Sequence, residues 1–214
     1  LVSVCFSGPA SVKVWNVATG KETLTIPVPE EVEDRAGQWT ISPGGRFLAV
    51  AATTDSGAGH VRLFDLDTGK PAGVLWPYGR RQNSCRVQAL AFSPDGKELA
   101  GVVSVPDRVN VSARPAQLIV WEAASGAETT RVVIDRGNRG MLQVFCSEPL
   151  QWFPDGKAFL IDQQMVTRRE DGALVEFLKY EGSPDAYLAA KVLDDTRLLI
   201  STEGDKLTVR HVKR

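Results

Sequence analysis

Catalysis and metal binding require particular side chains held within reach of one another, and this sequence supplies few such sets. Its only imidazoles, His60 and His211, lie far apart. No serine occupies a Gly-x-Ser-x-Gly elbow, and there is neither an HExxH run nor a Cys/His cluster at metal-ligand spacing. "DLDTG", Asp65 to Gly69, opens like a calcium loop, but the twelfth position, which should carry a bidentate glutamate, is Trp76. "TDSGAGH", Thr54 to His60, is rich in glycine, yet a strand rather than a helix N-terminus is expected after it, so it lacks the second half of a phosphate cradle. Asp194 and Asp195 fall in an expected turn, where carboxylates are ordinarily solvated. Cys5, Cys85 and Cys146 are dispersed and odd in number, which argues against a closed disulfide framework and for a reducing compartment. Asn110 opens an "NVS" sequon that matters only in a secretory pathway. The expectation is a chain without catalytic residues, cofactor or bound metal.

Charge is concentrated elsewhere, in four connecting stretches of unequal length: Pro29 to Gly37, Pro77 to Arg86, Pro106 to Gln117 and Asp135 to Ser147. The first carries Glu30, Glu31, Glu33 and Asp34. The others carry Arg80, Arg81, Arg86, Arg108, Arg114, Arg136 and Arg139. Long loops on a rigid frame are where binding usually resides, and the planar guanidinium fork suits interfaces. These residues are the candidate partner-binding set; the competing reading is that they only solvate the loops or pair across them.

The elements that must position those loops repeat. "FSPDGKELAGVVS" (Phe92 to Ser104) sets a turn between two apolar runs: Pro94 fixes its own φ, Asp95 can bond nearby backbone N–H groups, and Gly96 accepts a left-handed conformation. The turn recurs at Pro43, at Pro154, Asp155 and Gly156, and weakly at Asp194, in steps of 51, 60 and 40 residues. A second signal follows each one or precedes the first: "VKVWNVATGK", "VRLFDLDTGK", "LIVWEAASGAE" and the degraded "MVTRREDGALVE". Its turn glycines Gly20, Gly69, Gly126 and Gly172 step by 49, 57 and 46. Two interleaved signals in constant order define one unit with variable loops. Each unit parses as four short strands, with no amphipathic helical run of ten or more residues between them. Strands such as "LIVW", apolar at consecutive positions, must be covered on both faces. Blades around an axis satisfy that requirement.

"FSPDGKELA" followed by "LIVWEAASGAE" resembles the WD40 repeat of β-propellers, whose third strand ends in Trp-Asp before a Gly turn. "VKVWNVATGK" and "VRLFDLDTGK" are similar, with Asn16 and Asp65 at the Asp position and Phe64 in place of Trp. The resemblance covers nearly the whole chain, but no Gly-His pair opens any unit, so the family's His-Ser-Asp-Trp tetrad is not intact. It implies an all-β propeller of four-stranded antiparallel blades: a partial blade over 1–27, full blades over 38–77, 87–134 and 148–180, and a second partial blade over 186–212. That is eighteen strands, about four and a half blades, expected to belong to a larger ring. Trp15, Phe64 and Trp121 recur at one position and are expected to pack between adjacent blades.

Composition agrees with a folded chain: 43% apolar and 24% charged residues are ordinary values, and no apolar run is long enough to cross a bilayer. A net charge of −1 gives no general attraction to nucleic acid or anionic membranes. The expected function is a non-catalytic scaffold for protein partners, cytoplasmic, with a propeller that accompanies a hydrolase of prolyl-oligopeptidase type or a fused protein kinase as the alternative. Other domains of a longer parent chain are further expected partners.

Overall fold

The computed structural model describes residues 1–5, 11–27, 39–54, 58–79, 85–104, 116–134, 150–178, 189–202 and 206–213. Turn chemistry and apolar runs produce eighteen strands in five antiparallel sheets, with no helix among the described residues. The first sheet holds β1 (Val2–Cys5), β2 (Ser11–Asn16) and β3 (Lys21–Pro27). The second holds β4 (Trp39–Ile41), β5 (Phe47–Thr53), β6 (Gly59–Asp65) and β7 (Lys70–Leu75). The third holds β8 (Arg86–Phe92), β9 (Glu98–Ser104), β10 (Ala116–Glu122) and β11 (Glu128–Val133). In the fourth are β12 (Leu150–Trp152), β13 (Ala158–Ile161), β14 (Met165–Arg168) and β15 (Leu174–Phe177). The fifth contains β16 (Ala189–Val192), β17 (Arg197–Thr202) and β18 (Lys206–His211). Within every sheet, neighbours in sequence are neighbours in space.

The first strands β4, β8, β12 and β16 adjoin one another in succession, so the sheets stack face to face around their inner strands. Each interface is filled by its own apolar cluster. Val12 and Ile26 of the first sheet meet Leu48, Val50 and Phe64 of the second. Ala51, Val61 and Leu75 of the second meet Leu99, Ile119 and Trp121 of the third. Val102, Leu118 and Val120 of the third meet Trp152, Phe159 and Met165 of the fourth, and Leu160 and Val166 of the fourth meet Leu198 and Ile200 of the fifth. Burial of both faces explains why β9 and β10 are apolar at consecutive positions rather than alternating.

The repeated position expected to pack between sheets does so for Phe64 and Trp121, which are 2% and 3% exposed. Trp15 departs from that expectation. It is half-buried, its Nε1 donates to Ser3 Oγ at 2.9 Å, and the Lys13 ammonium lies 5.8 Å above its ring. It belongs to none of the interface clusters. The face of the first sheet that points away from the second has no described sheet against it.

Turns at one end of the stack are short and locally satisfied. Ser93 Oγ accepts the Glu98 N–H and donates to Asp95 Oδ1, which in turn accepts the Lys97 N–H, while the Gly96 N–H bonds Ser93 O. Asp155 Oδ1 likewise accepts the Lys157 N–H, as Asp95 Oδ1 accepts that of Lys97. In the fifth sheet the two roles are divided. Asp194 caps its own turn through Thr196, and Asp195 Oδ1 accepts the Asp155 N–H of the preceding sheet at 2.6 Å. The glycines of the turns between third and fourth strands also serve the stacking. Gly126 and Gly172 have φ of 72° and 73°, and a Cβ at either would collide with the outer strand of the preceding sheet, at Leu75 and at Val133 O respectively.

Candidate functional site

Of the charged loop residues singled out by sequence, Glu30, Glu31, Glu33, Asp34, Arg80, Arg81, Arg108, Arg114, Arg136 and Arg139 lie outside the described residues, as do Asn110 and Cys146. Arg86 is described; it is half-buried at the start of the inner strand β8.

The residues with chemistry to offer are separated and engaged in structure. His60 is buried in β6, stacked on Trp76 at a centroid distance of 4.5 Å, whereas His211 is exposed on β18 in the fifth sheet. Asp65 of the calcium-like stretch caps its own turn. Its Oδ1 accepts the backbone N–H groups of Asp67 and Thr68 and the Thr68 hydroxyl, and its Oδ2 accepts Arg46 Nε at 3.2 Å. The Thr68 N–H above all holds its carboxyl below the usual range. Arg197 and the Thr196 N–H bring Asp194 down to about 2. Burial pushes the Cys85 thiol up; its Sγ donates to Gly59 O, and the Gly59 N–H bonds Cys85 O at 3.0 Å. A Cβ on Gly59 would stand 2.5 Å from that carbonyl, so this tie between segments requires glycine. Among the described residues, no three His, Cys, Asp or Glu side chains converge on a metal position.

A surface concavity of about 880 Å³ lies at the short-turn end of the fourth sheet. It is lined by residues 129–132 of β11, residues 155–158 and 168–170, and Val175, Thr196 and Val212. Arg169 builds its wall by joining two sheets. Its Nη2 and Nη1 donate to Glu98 Oε1 and Oε2 at 2.6 and 2.9 Å, its Nε reaches Thr130 Oγ1 at 3.4 Å, and its guanidinium lies 5.5 Å from the centre of the Trp152 ring. Arg131 makes a second junction. It donates to Glu128, to Gln117 Oε1 and to Pro77 O, and lies 5.0 Å from the Tyr78 ring, whose hydroxyl donates to the same Gln117 oxygen at 2.7 Å. Arg168 pairs with Asp171. This leaves the exposed Lys157 and Glu170 as lining charges without an ion pair among the described residues. Sequence reasoning passed over Arg168, Arg169 and Glu170 because they sit in the degraded repeat, where the run Arg168, Arg169, Glu170, Asp171 at a turn was the available signal; Arg131 lies in the well-marked third unit, where only the turn and strand pattern drew notice.

Solved structures share this architecture. TolB from Acinetobacter baumannii is similar with a TM-score of 0.53 at 15% identity, over 100% of this chain and 51% of that one. A protein of unknown function from Bacteroides caccae is similar with a TM-score of 0.59 at 14% identity, over 98% of this chain and 72% of that one. The chain thus spans about half the length of the TolB chain. No protein-family model matches the sequence, and no curated protein does. At such identities the likeness is one of fold. The chain has an all-β, propeller-like fold, and the resemblance read from its repeats holds at that level.

Proposed function

We propose that this chain is a non-catalytic interaction scaffold of WD40-like repeats that takes protein partners on its variable loops. The observation that carries the reading is the division of labour between the parts of each unit. In the second, third and fourth sheets the side chains of the second and third strands fill the interfaces between sheets, and the polar groups of the short turns largely bond one another. The connecting stretches differ in length and charge from unit to unit, and surfaces that vary on a constant frame are where recognition resides. The Trp-bearing third strands favour the scaffold over a propeller attached to a hydrolase, whose third strand would end in an Asp-x-Asp-Gly turn. Nucleic acid is not the proposed partner; binding to it would fall steeply with salt.

The test is capture by the tagged chain with Arg80→Glu and Arg81→Glu combined. The melting midpoint should stay within about 1 °C, because surface changes away from the core usually cost under ~0.5 kcal/mol. Affinity for the captured partner should fall about tenfold or more, equivalent to ~1.4 kcal/mol. Undiminished capture removes these arginines from the site. Loss instead with Lys157→Glu and Glu170→Lys moves the contact to the concavity.

A further inference from the structure

We draw no further inference here: the strongest candidate, the concavity at the short-turn end of the fourth sheet, belongs to the site already described, and its three arginines are already paired by Glu98, Glu128 and Asp171, so nothing there says what would occupy it.

Discussion

Removing the guanidinium of Arg169 should loosen the third sheet from the fourth. The pair it makes with Glu98 is bidentate, and each side chain is 25% exposed, between the surface and the core. Two unit charges 4 Å apart attract by roughly 4 kcal/mol at an effective dielectric of 20, most of which offsets lost hydration. Exposed pairs contribute about 0–1 kcal/mol, and removing one partner of a buried pair costs about 3–5. The expected coupling energy is therefore about 1–2 kcal/mol. Arg169→Ala also forfeits the contact with the Trp152 ring, worth about 0.5–1 kcal/mol, and should cost about 2 kcal/mol in all. That lowers the melting midpoint by roughly 4–8 °C in a chain of this size. The assay is urea unfolding of Arg169→Ala, Glu98→Ala and the double variant, with equal m-values required before the energies are compared. Additivity within about 0.3 kcal/mol would refute the reasoning: the fork would then be an ornament on sheets already held by their apolar cluster.

Gly172→Ala should destabilise more than Gly20→Ala in thermal unfolding. Both glycines have positive φ, which costs roughly 1–2 kcal/mol for a residue with a Cβ, but only Gly172 has Val133 O in the way. Equal losses would mean that the turn does not bear on the preceding sheet. Thr167→Val should stabilise by about 1 kcal/mol, since the Thr167 hydroxyl is fully buried and has no hydrogen-bond partner among the described residues; a loss of stability would reveal an acceptor for it. Acid should weaken the fold. Asp65, Asp95, Asp171 and Asp194 all have folded pKa values below the usual 3.8, Asp194 at about 2. Their contribution is present above pH 4 and is lost as pH falls through the folded values towards 2. Asp95 and Asp171 are exposed and Asp194 is half-buried, so added salt should flatten their share of the dependence, while buried Asp65 is screened less; a midpoint independent of pH from 5 to 2 would rule the turn caps out.

The turns were legible because their chemistry is local. A proline, an aspartate and a glycine in fixed order determine a backbone conformation without reference to distant residues, and Gly96 and Gly156 have φ of 72° and 70°; the glycines of the second turn signal likewise have positive φ, from 66° at Gly20 to 73° at Gly172. Contacts between sheets were not legible in that way. Glu98 and Arg169 are 71 residues apart, and no property of either residue announces the other. The same holds for Gln151, whose Nε2 donates to Ala190 O and whose Oε1 accepts the Val192 N–H of the next inner strand, at 3.0 Å each. The charged loops illustrate the remaining limit: their composition suggests recognition, but nothing local dictates their path.

The degraded fourth unit shows how a repeat survives the loss of its signature. Across the third sheet one row of paired residues reads Phe92, Leu99, Trp121, and across the second Ile41, Leu48, Phe64. The matching row of the fourth sheet reads Trp152, Phe159, Thr167. In the fourth sheet the tryptophan stands on the first strand and not on the third. From there Trp152 packs against Phe159 with centroids 4.5 Å apart, and its Nε1 donates to Ala91 O of the third sheet at 3.0 Å. Bulk across the row is what the interface requires, and any strand of the blade can deliver it, because all of them present alternate residues to the same neighbouring sheet. A motif tied to one strand therefore fades while the packing it stood for persists. Thr167 is the small side chain at the third-strand position of that row, and among the described residues its hydroxyl has no hydrogen-bond partner.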